Sequence, residues 1–285
     1  MSKIKLYMFP GSNSSLTGRL MLDHKGLEYK LVKLPPGLHA FMMLALGFET
    51  MGVPAIKVDG RRVQGTRSIS RALDELVPEW PLLPSDPERR RAVEQAERWG
   101  EELQNATRRI CYCAARRDRG AYLSIILADR ALPMRVFLRV GARMIIRLAS
   151  GAHRASDDAG KEDVALLPAR LDQIDAWIEE GLLGGPELNA ADFQIAVNVS
   201  ALLMFEDLAP LIEGRPAEAL ARRVAGDYGG HVGRILPPAW LAGERIDRRA
   251  MPTSRTRNDA TQHWTVGLLS RLPTGADVAH TPHSP

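Results

Sequence analysis

The chain reads as an α/β domain followed by an all-α helical bundle and an aperiodic C-terminal tail, and three observations predict this order. Residues 52–73 run as Val-Pro, strand, Asp-Gly turn, strand, bend and helix. A proline-rich stretch from Pro78 to Pro87 separates that unit from sequence of purely helical period. Around residue 189, Asn-Ala-Ala-Asp precedes an apolar run, which is how a capped, buried helix begins.

The elements follow in order. Ile4 to Phe9 is a short apolar strand, and Pro10-Gly11-Ser12-Asn13 turns the chain into a helix carrying Arg19 to Leu22 and stopping at Gly26. Glu28 to Lys33 alternates as a strand does, giving β-α-β. Pro54 lacks an N–H for a sheet ladder, so it belongs at the entrance of the next strand, in a cis-proline turn. Ala55 to Val58 is that strand, Asp59-Gly60 is a hairpin turn, and Arg61 to Gln64 returns antiparallel. Gly65 bends the chain and Thr66 is the expected N-cap of a helix with Ile69, Ala72, Leu73 and Leu76 on one face.

This succession resembles the thioredoxin-like N-terminal domain of the glutathione transferase family, of the serine type found in bacteria. The resemblance implies that Val53, before Pro54, offers its backbone to the cysteinyl part of glutathione. It implies that the helix opening at Thr66 takes the γ-glutamyl carboxylate, with Gln64, Gly65 and Arg67 close by. In serine-type members the active hydroxyl stands at the start of the first helix, about five residues before an arginine that opens an apolar run. Counting back from Arg19 gives Ser14 as the catalytic candidate, with Ser12 in the same turn as the fallback. His39 is a candidate for the glycyl carboxylate, or a structural histidine beside apolar neighbours. The family has Glu or Gln at the bend where this chain has Gly65, which removes a side chain that binds the γ-glutamyl ammonium.

The expected organisation is a glutathione-binding domain over residues 1–78, a linker over 79–88, a helical domain over 89–244 and a disordered tail over 245–285. Four prolines, Pro78, Pro81, Pro84 and Pro87, bar a helix through the linker, and Ser85-Asp86-Pro87-Glu88 opens the next one. Ala92, Val93, Ala96, Trp99 and Leu103 then recur at helical spacing. The tail is polar and rich in proline, too poor in apolar residues to offset the entropy of ordering. Its histidines, His263, His280 and His283, match no common metal spacing, and no metal is expected.

Composition bounds the setting. The 285 residues are 45% hydrophobic, enough for a packed core in two domains. No window approaches the roughly 18 apolar residues of a membrane span. The start, Met1-Ser-Lys-Ile-Lys5, has charge without an apolar stretch behind it, so a cytoplasmic protein is expected. Cys111 and Cys113, two apart in helical sequence, face different ways and do not form a dithiol pair. Between Arg108 and Arg147 ten arginines meet only Asp118 and Asp129. The last four, Arg135, Arg139, Arg143 and Arg147, recur every fourth residue and form one stripe. Such a stripe serves an anionic surface or an acidic substrate, or is a solvated face over apolar stems. A formal net charge of only +4 and the lack of interleaved aromatics argue against nucleic acid.

The expected activity is attack by the glutathione thiolate on a small hydrophobic electrophile. Glutathione acts as co-substrate, and the family implies a homodimer. The alternative is a non-catalytic binding protein of the same fold with a degraded glutathione site.

Overall fold

The computed structural model describes residues 3–120, 123, 132–226 and 230–241, with the side chains of residues 132–138 outside that set. The segment beyond residue 245 and its three histidines lie outside the described residues, as do Arg130 and the side chain of Arg135.

The chain opens with β1 (Ile4–Met8), α1 (Asn13–His24), β2 (Tyr29–Lys33), α2 (His39–Ala45), β3 (Ala55–Val58), β4 (Arg61–Gln64) and α3 (Thr66–Leu76). The strands lie in the order β2-β1-β3-β4, with β1 and β2 parallel and the other pairs antiparallel. Alternation along the strands builds both faces. Leu6 and Ile56 pair across β1 and β3 and are buried among Met21 and Leu22 of α1 and Ile69 and Leu73 of α3. Their neighbours Tyr7 and Ala55 face the other way, onto Leu34, Phe48 and Met43 of α2. The Asp59-Gly60 turn has φ of 48° and 100°, the paired positive values of a two-residue hairpin.

The linker is pinned at several points. Asp74 accepts the backbone N–H groups of Leu82 and Leu83 at 2.8 and 2.9 Å. Lys25, buried, holds Asp74 at 2.7 Å and also donates to the carbonyls of Val77 and Glu79. Asp86 then caps the long α4 (Pro87–Arg117) by accepting from the Arg89 N–H at 2.8 Å.

The rest of the described chain is helical: α5 (Leu132–Ala152), α6 (Asp157–Ala165), α7 (Leu167–Glu179), α8 (Ala190–Leu203), α9 (Ala209–Ile212), α10 (Pro216–Ala225) and α11 (Pro238–Leu241). The bundle is built around α8. Every residue of α8 except Leu203 is buried, against α4, α10 and the α1 helix of the sheet domain. Its start is the predicted capping box. The Asn189 side chain accepts from the Ala191 and Asp192 N–H groups, and the Asp192 carboxylate accepts the Asn189 N–H at 2.8 Å and the Gly184 N–H at 2.7 Å. Burial pushes the Asp192 carboxyl above its ordinary value, and those two backbone donors pull it back.

The arginine-rich region divides by role. Arg109 makes a two-pronged pair with Asp163 of α6 at 2.6 and 2.8 Å, which Arg170 of α7 joins at 3.1 Å. Arg116 and Arg117 share Asp157 at 2.6 and 2.7 Å. Arg139, Arg143 and Arg147 are exposed on α5, beside a second exposed row of Val140, Met144 and Leu148. Among the described residues no helix is long and apolar enough to cross a membrane.

Candidate active site

The site is assembled where α1 begins. Ser12 takes the N-cap position with extended backbone, and its Oγ accepts the Ser15 N–H at 3.3 Å. Ser14 lies in the first helical turn, at the positive end of the α1 dipole. Its hydroxyl donates to the Val53 carbonyl at 3.0 Å, with Ser12 Oγ 3.2 Å away. Val53-Pro54 is a cis peptide, as the sequence predicts. Gly18 lets α1 press onto the ring of that proline: a Cβ there would stand 3.1 Å from Pro54 Cγ.

The cis-proline loop is tied to the start of α3 by the Gly65 N–H, which donates to the Pro54 carbonyl at 2.9 Å. Here the structure corrects the sequence reading. Thr66 is the first helical residue, not the cap; Gly65 occupies the cap position with φ 90° and ψ 148°, and no side chain caps the helix. That conformation is open to glycine and strained for any residue with a Cβ. Ser14, Val53, Pro54, Gly65 and Thr66 are thus linked along one edge of the sheet domain, while Gln64 and Arg67 turn elsewhere. Gln64 spends its amide on the preceding loop, donating to the carbonyls of Thr50 and Gly52 and accepting the Thr50 N–H at 3.0 Å. Arg67 faces α4, 3.7 Å from both Glu97 and Glu101.

Ser14 opens on a cavity of about 290 Å³ between the sheet domain and the helices. His39 and Phe9 form one wall with ring centroids 4.6 Å apart, and Gly52 and Val53 form the floor. Arg108, Cys111 and Tyr112 of α4 stand opposite, with Met204 and His153 completing the lining. Tyr112 and His153 stack at 5.3 Å with 9° between their planes. Burial holds the His39 imidazole below its ordinary value, and burial with the nearby Arg108 charge takes His153 down to about 4. Both rings are therefore neutral at pH 7. Burial also pushes the Cys111 thiol up to about 12 and raises Cys113, so neither is a ready nucleophile. His39 shares the cavity with Ser14, and its buried Nδ1 makes no hydrogen bond.

Arg108 was not singled out by the sequence reading, where it is one of ten arginines. The structure brings its Nη2 within 3.0 Å of Ser14 Oγ. Asn105 accepts from its Nη1 at 3.3 Å. With its oxygen turned toward Arg108, the Gln104 amide accepts from both terminal nitrogens at 2.8 and 3.1 Å. The i,i+4 spacing of Gln104 and Arg108 on one helix was the available signal, but nothing in the sequence says that this face of α4 meets α1.

Residues 6–81 match the model of the glutathione S-transferase N-terminal domain. The described fold is similar to that of a glutathione S-transferase from Rhodospirillum rubrum, at 19% identity over 84% of this chain and 98% of that one, with a TM-score of 0.51. It is likewise similar to glutathione transferase F7 from Populus trichocarpa, at 16% identity over 83% and 95%, TM-score 0.52. The β-etherase LigF from a Sphingobium strain matches at 18% identity over 70% and 84%, TM-score 0.52. No curated protein matches the chain in sequence. The match to a glutathione S-transferase N-terminal domain is confined to residues 6–81, and the likeness of the described fold to these solved structures extends through the helices that follow.

Proposed function

We propose that this chain binds glutathione at the edge formed by Val53, Pro54 and Thr66 and activates its thiol beside Ser14 for attack on a small hydrophobic electrophile in the adjoining cavity. The observation that carries this reading is the position of Ser14. A hydroxyl in the first turn of α1 bonds the carbonyl before a cis-proline and faces a cavity walled by Phe9, Tyr112 and two neutral histidines. An apolar wall suits an uncharged aromatic or aliphatic electrophile. The N-terminus of α3, an 11-residue helix, suits the γ-glutamyl carboxylate through its backbone N–H groups. Activation needs only a modest shift, because a free thiol ionises near pH ~8.5 and each unit of lowering multiplies the thiolate about tenfold while it is scarce. A cytoplasmic homodimer is the form the family implies.

A non-catalytic binding protein is the second reading, and the start of α3 favours it. Gly65 carries no side chain, Gln64 is spent on the 50–52 loop and Arg67 is turned to α4, so fewer groups remain for the γ-glutamyl end. Calorimetry with glutathione on the wild-type chain and on Thr66→Ala separates the two. The transferase reading expects micromolar to millimolar binding, weakened in the variant, together with turnover of a halonitrobenzene. A folded protein giving no heat at millimolar glutathione overturns it in favour of the second.

A further inference from the structure

We propose that Arg108 is the group that holds the glutathione sulfur as a thiolate, and that Ser14 is a positioning residue that sets where the sulfur lies. This rests on the transferase reading above. The Ser14 hydroxyl has one hydrogen, and it is directed at the Val53 carbonyl at 3.0 Å. On its acceptor side the hydroxyl takes an N–H from Arg108 Nη2, also at 3.0 Å. An atom that packs against Ser14 Oγ from the cavity therefore meets a guanidinium edge. The two donors are unequal: a hydrogen bond from a charged donor to an anion is roughly twice as strong as one between neutral groups.

The cation is also preset. Arg108 rises from the middle of α4 and is steadied by Asn105 and Gln104, one turn back on the same helix. The planar fork holds its charge against Ser14, so an anion that packs there lies beside the guanidinium and can take over the N–H that Ser14 now accepts. The positive end of α1 adds to the same field. The neutral state of His153, depressed in part by Arg108, agrees with a cavity whose potential is positive. In the binding step the thiol proton passes to solvent and the sulfur keeps its electron pair, which accepts from Arg108. No other bond forms or breaks.

The test is the ultraviolet absorbance of the bound thiolate as a function of pH, in the full chain and in Arg108→Gln, Arg108→Lys and Ser14→Ala. Calorimetry with S-methylglutathione, which has no ionisable thiol, runs beside it. The wild type should ionise the bound thiol below its free value of about 8.5, and Arg108→Gln should move it back by about 1–2 units. The variant's affinity for S-methylglutathione should change less than about threefold, since the neutral sulfur gains little from the cation. Arg108→Lys should retain part of the lowering and Ser14→Ala most of it. If Ser14→Ala abolishes the lowering while Arg108→Gln keeps it, the proposal is overturned. Should wild type bind both peptides without ionising the thiol, it is overturned as well. Failure to bind either peptide overturns the transferase reading itself, and this assignment with it.

Discussion

His153 ties the cavity to acid stability. Its folded-state value near 4 lies below the ordinary 6.5, so between those limits the unfolded chain takes up a proton that the folded chain refuses. Stability from this residue is complete above about pH 6.5 and is lost as pH falls toward 4, on the order of 3 kcal/mol in all. His153→Phe keeps a ring against Tyr112 and removes the titration. Its denaturant midpoint should therefore fall less than that of wild type between pH 7 and pH 4.5, and equal losses in the two proteins would refute the assignment. Single residues were also where the sequence was hardest to read. The place of Ser14 in the first turn of α1 was legible because a turn and a helix start mark it in one short segment. Arg108 was not, because its role depends on which face of a 31-residue helix meets α1, a distance of 94 residues in sequence.

Elements were read more fully than residues, for reasons visible in each. The β3-β4 hairpin is specified locally by Asp59-Gly60, and the α8 cap by Asn189 and Asp192, so both appear at the predicted positions. The start of α3 moved by one residue because Gly65 has a backbone conformation that composition does not reveal. On α5 the predicted arginine stripe is present as exposed Arg139, Arg143 and Arg147, three like charges one turn apart. Each such i,i+4 pair opposes the helix by a few tenths of a kcal/mol at low salt. Arg143→Glu replaces two repulsive pairs with two attractive ones and should raise stability by about 1 kcal/mol in dilute buffer. The gain should shrink in about 1 M salt, where the Debye length is near 3 Å. A loss of stability instead would mean that an acidic surface already faces the row.

At the scale of the molecule, the sheet domain and the bundle share a core. The proline-rich stretch reads in sequence only as a linker that no helix can cross; in the structure Leu82 and Leu83 are buried and their backbone is held by Asp74. That outcome depends on contacts between distant segments, which local pattern does not carry. Asn13 of α1 donates to Asn198 of α8 at 2.8 Å, beneath the start of the site. Asn198→Ala should cost about 1–3 kcal/mol and leave unfolding as one cooperative transition, with circular dichroism and tryptophan fluorescence superimposing. Separate transitions would show that the two parts unfold independently. The enclosure of α8 has a further consequence. A helix wet on no side cannot exchange its amide hydrogens through fraying of one face, so solvent deuterium reaches it only when the whole molecule opens. Any ligand seated at the start of α1 slows that opening by mass action. Occupancy of the cavity should thus be recorded in the isotope content of a helix whose residues lie outside that cavity's lining, readable by mass spectrometry before any substrate is known.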